Sequence, residues 1–337
     1  MSVLYVASDQ QGAGKTAFCV TFARKLIDMG KKAVVLKPAA DSSQGGDADP
    51  DAVLYQKLLG QQSGASSPVQ PGGALSDTLI SEIKSSVQDA AGEQDVVIIE
   101  GSSSLSVQDH KKLADALDAK AVVIARYRRD LSANDLKPWK DALGNRLTGF
   151  IVNGLTRYLG NESKISLLPA MQSNGLVSLG IIPENRRLLS SSVGQIAEHL
   201  NGRFIINGEY KERLVDHYMA WGFSLDPGEL TFSLRENKAL VIRGDRPDIQ
   251  MAALATPTAC LISTQGIEPI EYVRYEAEEE EVAIMIVEEN TLTTMAFLGS
   301  LMDKAQFDHP DKVCAYAELL DEHLDYPTLL SALSIIQ

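Results

Sequence analysis

The sequence predicts an α/β protein: a doubly wound parallel sheet through Leu200, a second, smaller α/β domain, and C-terminal helices. Three observations predict it. Short apolar runs without polar–apolar alternation recur through the first part of the chain, as strands buried on both faces require. Helix-length segments separate them, the alternation that builds parallel crossover units. Asn201-Gly202 is a helix stop, and a fresh strand–turn–helix series follows it.

In order along the chain, strands are expected at 3–8, 33–37, 96–100, 121–125, 148–152 and 177–182. Helices are expected between them at 15–29, 51–59, 76–90, 109–117, 133–143 and 162–173. The stretch 61–73 is rich in Gly, Ser, Pro and Gln and reads as a surface loop. A helix at 188–200 closes a first domain assigned to residues 1–202. In the second domain, 203–305, strands are expected at 204–206, 239–243, 259–263 and 282–287. Gly244-Asp245-Arg246-Pro247 makes a turn into a helix at 248–255, and a further helix covers 291–301. The run 276–281, almost all glutamate, reads as a solvated turn, because consecutive carboxylates on one loop do not converge on a metal. Residues 306–337 form a C-terminal helical tail suited to docking or oligomerisation. No internal repeat is visible.

Composition narrows the function. Of 337 residues, 45% are hydrophobic and 23% charged, ordinary for a globular protein with a sizeable core. A net charge of -14 argues against a general nucleic-acid binder and against anionic membranes. No apolar run is long enough to span a bilayer, and the N-terminus enters directly into a strand-like run, so neither a membrane span nor a signal peptide is expected. Cys19, Cys260 and Cys314 are sparse and far apart, which speaks for a reducing, cytoplasmic setting and against zinc. The five histidines are scattered without metal spacing.

The first strand runs into Asp9-Gln10-Gln11-Gly12-Ala13-Gly14-Lys15-Thr16 and then into a helix. Strand, loop and helix in that order form a phosphate-binding loop. Backbone N–H groups at the helix N-terminus face the phosphates, and glycines permit close approach. Gly12, Ala13, Gly14, Lys15, Thr16 and Ala17 are the expected phosphate contacts. Lys15 would neutralise the β and γ phosphates, and Thr16 would offer its hydroxyl to Mg2+. The G-x-x-x-x-G-K-[ST] pattern departs at its first position, where Asp9 replaces glycine. A carboxylate there repels phosphates unless it turns away or meets the metal.

Ligands of parallel sheets bind beyond the carboxyl ends of the strands. Lys37 ends the second strand and Glu100 the third; Asp51 opens the following helix. Thr16, Asp51 and Glu100 are the expected oxygen ligands of one hard cation, although Asp51, after Asp47 and Asp49, also fits a solvated acid at a helix start. Asn153 follows the fifth strand, where an amide suits an adenine edge and Asn153-Gly154 equally suits a turn. Arg126, Arg128 and Arg129 follow the fourth strand and read as a solvated loop sooner than an anion site. Ser102–Ser104 lacks a nucleophile elbow, so a hydrolase triad has little support.

Gly14-Lys15-Thr16, Lys37-Pro38, Asp51-Ala52, Glu100-Gly101, Asn153 and Gly180-Ile181-Ile182-Pro183 together resemble the dethiobiotin synthetase family, over the first domain. The resemblance implies that Thr16, Asp51 and Glu100 hold Mg2+ and that Lys37 helps bind an amine or carbamate. It also implies that Asn153 and Pro183 lie at the adenine of ATP and that the domain forms a homodimer. Gly244-Asp245-Arg246-Pro247-Asp248-Ile249 and Thr264-Gln265-Gly266 resemble a DRTGG domain, with glutamine in place of the first of its paired glycines. The two domains in this order resemble the N-terminal regulatory part of long-form phosphotransacetylases, without the acetyltransferase domain.

Two functions fit these residues. The first is a Mg2+-dependent ATP-binding module that regulates or senses, working with a small-molecule effector or a partner enzyme of acyl-CoA metabolism. The second is an ATP-dependent carbon–nitrogen ligase of the dethiobiotin synthetase type, with Lys15 and Lys37 as its catalytic lysines.

Overall fold

The computed structural model describes residues 1–39, 50–61, 75–156, 158, 160–221, 228–302 and 304–336. Asp47, Asp49 and all of the expected 61–73 loop except Gln61 lie outside them. The chain divides into two compact units: Met1–Asn185 together with Phe307–Gln337, and Arg186–Gln306. The second is thus inserted in the chain of the first.

The first unit is built on six parallel strands. They are β1 (Ser2–Ser8), β2 (Ala33–Leu36), β3 (Val96–Glu100), β4 (Lys120–Arg126), β5 (Leu147–Leu155) and β6 (Ser178–Pro183), in the spatial order β2-β3-β1-β4-β5-β6. Helices α1 (Lys15–Asp28), α2 (Pro50–Leu59), α3 (Asp77–Ala91), α4 (Val107–Ala116), α5 (Ala133–Leu143) and α6 (Gly160–Ser173) connect them. The apolar runs do not alternate because both sheet faces are covered: Leu4–Ala7, all of β3 and residues 121–125 are buried. Side-chain caps start the helices sharply. Ser76 and Ser106 each accept a backbone N–H three residues on, and Ser132 with Asp135 makes a capping box. Helix α1 carries its apolar residues at Phe18, Cys19, Phe22, Ala23 and Leu26, one face of a 3.6-residue repeat, and all are buried.

The second unit opens with β7 (Ser191–Ser192), helix α7 (Val193–Leu200), β8 (Arg203–Ile206) and β9 (Leu214–Val215). Its main sheet adds β10 (His217–Ala220), β11 (Lys238–Arg243), β12 (Thr258–Thr264) and β13 (Ala283–Ile286). The last four are parallel in the order β10-β11-β12-β13, and β8 closes the edge antiparallel to β13. Helices α8 (Glu229–Phe232), α9 (Pro247–Leu254), α10 (Glu271–Glu279) and α11 (Thr291–Met302) complete the unit. The acidic run expected as a turn continues helix α10 through Glu279 and turns only afterwards, because Val273 and Ala277 anchor that helix in the core.

Two boundaries differ from the sequence expectation of 202 and 305. The seam falls after Asn185, because Val193, Ile196, Ala197 and Leu200 of α7 pack in one cluster with Val241, Ile262 and Met285 of the second sheet. The tail is not separate. Its helices α12 (Pro310–His323) and α13 (Tyr326–Ala332) belong to the first unit. Leu324 bridges to Gly180 of β6, and the Asp325 N–H donates to the Leu179 carbonyl at 2.7 Å. A Cβ on Gly180 would lie 2.3 Å from the His323 carbonyl oxygen, so only glycine admits the tail there.

Candidate functional site

Because all six strands of the first sheet run parallel, Ser8, Glu100, Arg126, Asn153 and Pro183 come out at one edge, with Lys37 just beyond β2. The loop from β1 to α1 crosses that edge. Gly12 (φ +72°) and Gly14 (φ +98°) both take left-handed backbone, which a side chain would disfavour. Gly14 is the N-cap of α1 and makes no side-chain cap, so the first N–H groups of the helix are left to an anion.

Lys15 is 5% exposed, and its ammonium donates to Ser8 Oγ at 2.8 Å and to Ser103 Oγ at 2.6 Å. Neither partner is a carboxylate, so the charge of Lys15 is hydrogen-bonded but not neutralised by these two contacts. Beside it, Thr16 Oγ1 donates to Glu100 Oε1 at 2.8 Å, and the Tyr55 hydroxyl donates to Glu100 Oε2. Lys37 forms an ion pair with Asp51. Helix α2 therefore delivers two groups one turn apart: Asp51 to Lys37, and Tyr55 to Glu100.

Glu100 is 2% exposed, and burial, with the nearby Asp51 carboxylate adding to it, pushes its carboxyl up to about 7. Two carboxylates and a threonine hydroxyl brought together in this way are hard oxygen donors, suited in chemistry to Mg2+. A divalent cation would relieve both the desolvation of Glu100 and its repulsion with Asp51. Among the described residues, no group of three or more His, Cys, Asp or Glu comes together as a metal-binding cluster. The Cys19 thiol lies close by, but burial raises its pKa well above the usual value and makes it a poor nucleophile.

Asp9 turns away from the loop. Its carboxylate accepts the Arg126 backbone N–H and Arg128 Nη1, both at 3.0 Å. Arg128 also pairs with Asp135 at 3.3 Å, so it ties Asp9 to the start of α5 and is not a bare solvated residue. The departure from glycine is thereby accommodated without a carboxylate facing the loop.

Asn153 is engaged by the protein on both sides. Its Nδ2 donates to the Ala13 carbonyl at 2.8 Å, and its Oδ1 accepts the Tyr316 hydroxyl at 3.3 Å. A Cβ on Gly14 would come within 2.3 Å of Asn153 Nδ2, a second reason for glycine there. Pro183 pairs with Leu155 at the carboxyl end of β6, next to Asn153 on β5. Thr16, Asp51, Glu100, Lys15 and Lys37 are thus drawn to one corner, with Asn153 on the loop's other flank. Sequence reasoning missed Tyr55, Ser103 and Tyr316. The first two carried a signal: Tyr55 stands four residues after Asp51, and Ser103 follows a strand end beside the loop.

Comparison with known proteins also divides the chain in two, seven residues further on than the seam after Asn185. The family model of an AAA domain matches residues 2–192, and that of a DRTGG domain matches residues 195–301. Phosphate acetyltransferase of Escherichia coli (strain K12) is 24% identical over 298 residues, 76% of this chain and 40% of that protein. Its counterpart from Pseudomonas putida is 23% identical and covers 96% of this chain and 51% of that protein. The chain spans about two fifths to one half of the length of these relatives. Among solved structures, the MinD cell division protein of Aquifex aeolicus matches with a TM-score of 0.39 at 16% identity, over 56% of this chain and 85% of that one. The CBS and DRTGG domains of the regulatory region of Clostridium perfringens pyrophosphatase, complexed with diadenosine tetraphosphate, match with a TM-score of 0.31 at 15% identity. That match covers 46% of this chain and 74% of that one. Among the described residues, no helix is long and apolar enough to cross a membrane.

Proposed function

We propose that this chain, which belongs to the AAA domain family and carries a DRTGG domain behind its P-loop domain, is a Mg2+-dependent ATP-binding regulatory module. The observation that carries it is the buried Glu100, hydrogen-bonded to Thr16 next to the Lys15 ammonium. Burying a carboxylate and a lysine costs several kcal/mol of solvation, on the order of magnitude usual for buried ions, unless a ligand or partner compensates. A nucleotide with its cation does so on both counts.

In that function the loop N–H groups of residues 12–17 would hold the phosphates, and Lys15 would leave its two serine hydroxyls for the β and γ oxygens. Thr16, Glu100 and Asp51 would hold Mg2+, which supplies positive charge to the phosphate oxygens when bound. Tyr55 keeps Glu100 oriented. Asn153 retains one N–H and part of its carbonyl for a base edge, which favours adenine. Through the DRTGG domain, occupancy would be coupled to a small-molecule effector or to an enzyme of acyl-CoA metabolism, in a homo-oligomer. The relatives named phosphate acetyltransferase support that context.

One observation favours a second function. Lys37 is buried at the same corner and paired with Asp51, where a carbon–nitrogen ligase would hold a carbamate. Turnover separates the two. ATP bound without hydrolysis across a panel of amines and carboxylates supports the regulatory module. ATP consumption triggered by one of them, with a new covalent product, supports the ligase.

A further inference from the structure

The C-terminal segment returns to the first unit after the whole inserted unit, and it brings one polar group to the phosphate loop. Tyr316 of α12 is 1% exposed, and its hydroxyl donates to Asn153 Oδ1. Asn153 Nδ2 in turn donates to the Ala13 carbonyl, inside the loop and immediately before the helix N-cap. The ring of Phe307, the first residue of the returning segment, meets the Tyr316 ring edge-on at 6.1 Å.

The chemistry of this chain is directional. The two ends of an asparagine amide have nearly the same shape, so packing alone does not decide which end faces the loop. The Ala13 carbonyl can only accept, and it needs the N–H2 end. The Tyr316 hydroxyl, able to donate or accept, donates to Oδ1 in that orientation and so holds the end that the carbonyl leaves over. Burial raises the Tyr316 hydroxyl far above its usual pKa, so it stays protonated throughout the pH range in which the protein would be studied. Asn153 Nδ2 also lies where a side chain on Gly14 would be. A shift of this amide therefore moves the loop itself.

We infer that Tyr316 is a positioning residue of the nucleotide site: by orienting Asn153 it sets the Ala13–Gly14 peptide, and so the phosphate-binding geometry depends on the segment that follows the inserted unit. The inference rests on the P-loop assignment above. It makes the tail a working part of the site, acting on the phosphates whether or not a base is bound.

Titrations of Mg2+-ATP and of Mg2+-tripolyphosphate, which has no base, test it on the full chain. Tyr316→Phe keeps the ring and removes the hydroxyl. It should weaken both ligands, tripolyphosphate included, by roughly threefold to tenfold for the loss of one hydrogen bond, with the melting temperature little changed. In an Asn153→Leu background, where both contacts of the amide are already gone, Tyr316→Phe should add almost nothing, whereas a merely structural role would add in full. Wild-type affinity for both ligands in Tyr316→Phe would overturn the inference, as would a loss confined to ATP. Lys15→Ala separates the two levels. If wild type binds and Lys15→Ala does not, an unaffected Tyr316→Phe sinks only the role of the tail. If wild type binds neither ligand, the P-loop assignment falls and the role of Tyr316 falls with it.

Discussion

Each unit holds one main sheet, parallel throughout in the first and parallel except for its edge strand β8 in the second, and the carboxyl edges of the two are built in opposite ways. At the first, Lys15, Lys37 and Glu100 are all less than a tenth exposed, and Glu100 has a second carboxylate as a near neighbour. At the second, the charges pair within their own loop: Arg243 with Asp245, and Arg246 with Asp248, every one of them about a third or more exposed. Thr264 and Thr291 exchange a hydroxyl hydrogen bond at 3.1 Å. Exposed pairs of this kind contribute little, whereas buried charges are retained against a large solvation penalty. Burial without full charge pairing thus marks the first edge, and exposed local pairing the second.

The two glycines at these edges give the largest contrast. A Cβ on Gly244 would lie 1.9 Å from the Ile267 carbonyl oxygen, which is backbone and cannot step aside. Gly244→Ala should destabilise the second unit by roughly 4 kcal/mol or more, in the range of severe steric lesions. Gly14→Ala meets a side chain, Asn153, and a positive φ, so the loop distorts while the unit survives. Thermal melts and nucleotide titrations of both variants check this. Loss of folding in Gly14→Ala, or a stable Gly244→Ala, breaks the comparison.

Glu100→Gln sharpens it. The amide keeps an acceptor for one of the two hydroxyl donors, Thr16 or Tyr55, and removes a buried charge repelled by Asp51. Stability should rise, by about 1 kcal/mol, while the Mg2+-dependent part of ATP affinity falls about tenfold or more. A variant that loses stability and keeps Mg2+ dependence would show that Glu100 is structural.

How much of this was legible in the sequence follows the same division. The loop, the strand-end residues and the parallel sheet could be read, because a glycine-rich turn and non-alternating apolar runs are local signals. Tyr55 could have been found from its spacing to Asp51 on one helix. Tyr316 could not, since its partner is 163 positions away and no local pattern marks it. The tail's place was hidden for the same reason: the need for glycine at Gly180 becomes visible only when His323 lies against it. Asp9 looked like a defect in the motif, and its partners Arg126 and Arg128 lie at the end of, and just after, a strand that is adjacent only in space.

Among the described residues, the second unit does hold one buried charge, which gives a smaller test. Lys238 is 0% exposed and donates to Thr256 Oγ1 and the Pro257 carbonyl, both at 2.8 Å, with burial pushing it down to about 8 from 10.5. Between these values the unfolded chain binds more protons than the folded one, so this residue's contribution to stability rises with pH. Its penalty is full below about 8 and gone above about 10.5. Wild type should therefore gain on Lys238→Met in denaturant midpoints across that window, and a constant difference would contradict the assignment. The smallest effect is expected from Asp245→Ala, within about 0.5 kcal/mol of wild type, measured by the same unfolding curves.

Whether the first edge binds a nucleotide through the loop and a cation is read by calorimetric titration of the full chain with ATP and GTP, with and without Mg2+. One ATP site is expected, with an affinity that depends on Mg2+, exceeds that for GTP and disappears in Lys15→Ala. Absence of binding by any nucleotide, or ATP binding that Lys15→Ala leaves intact, would contradict it.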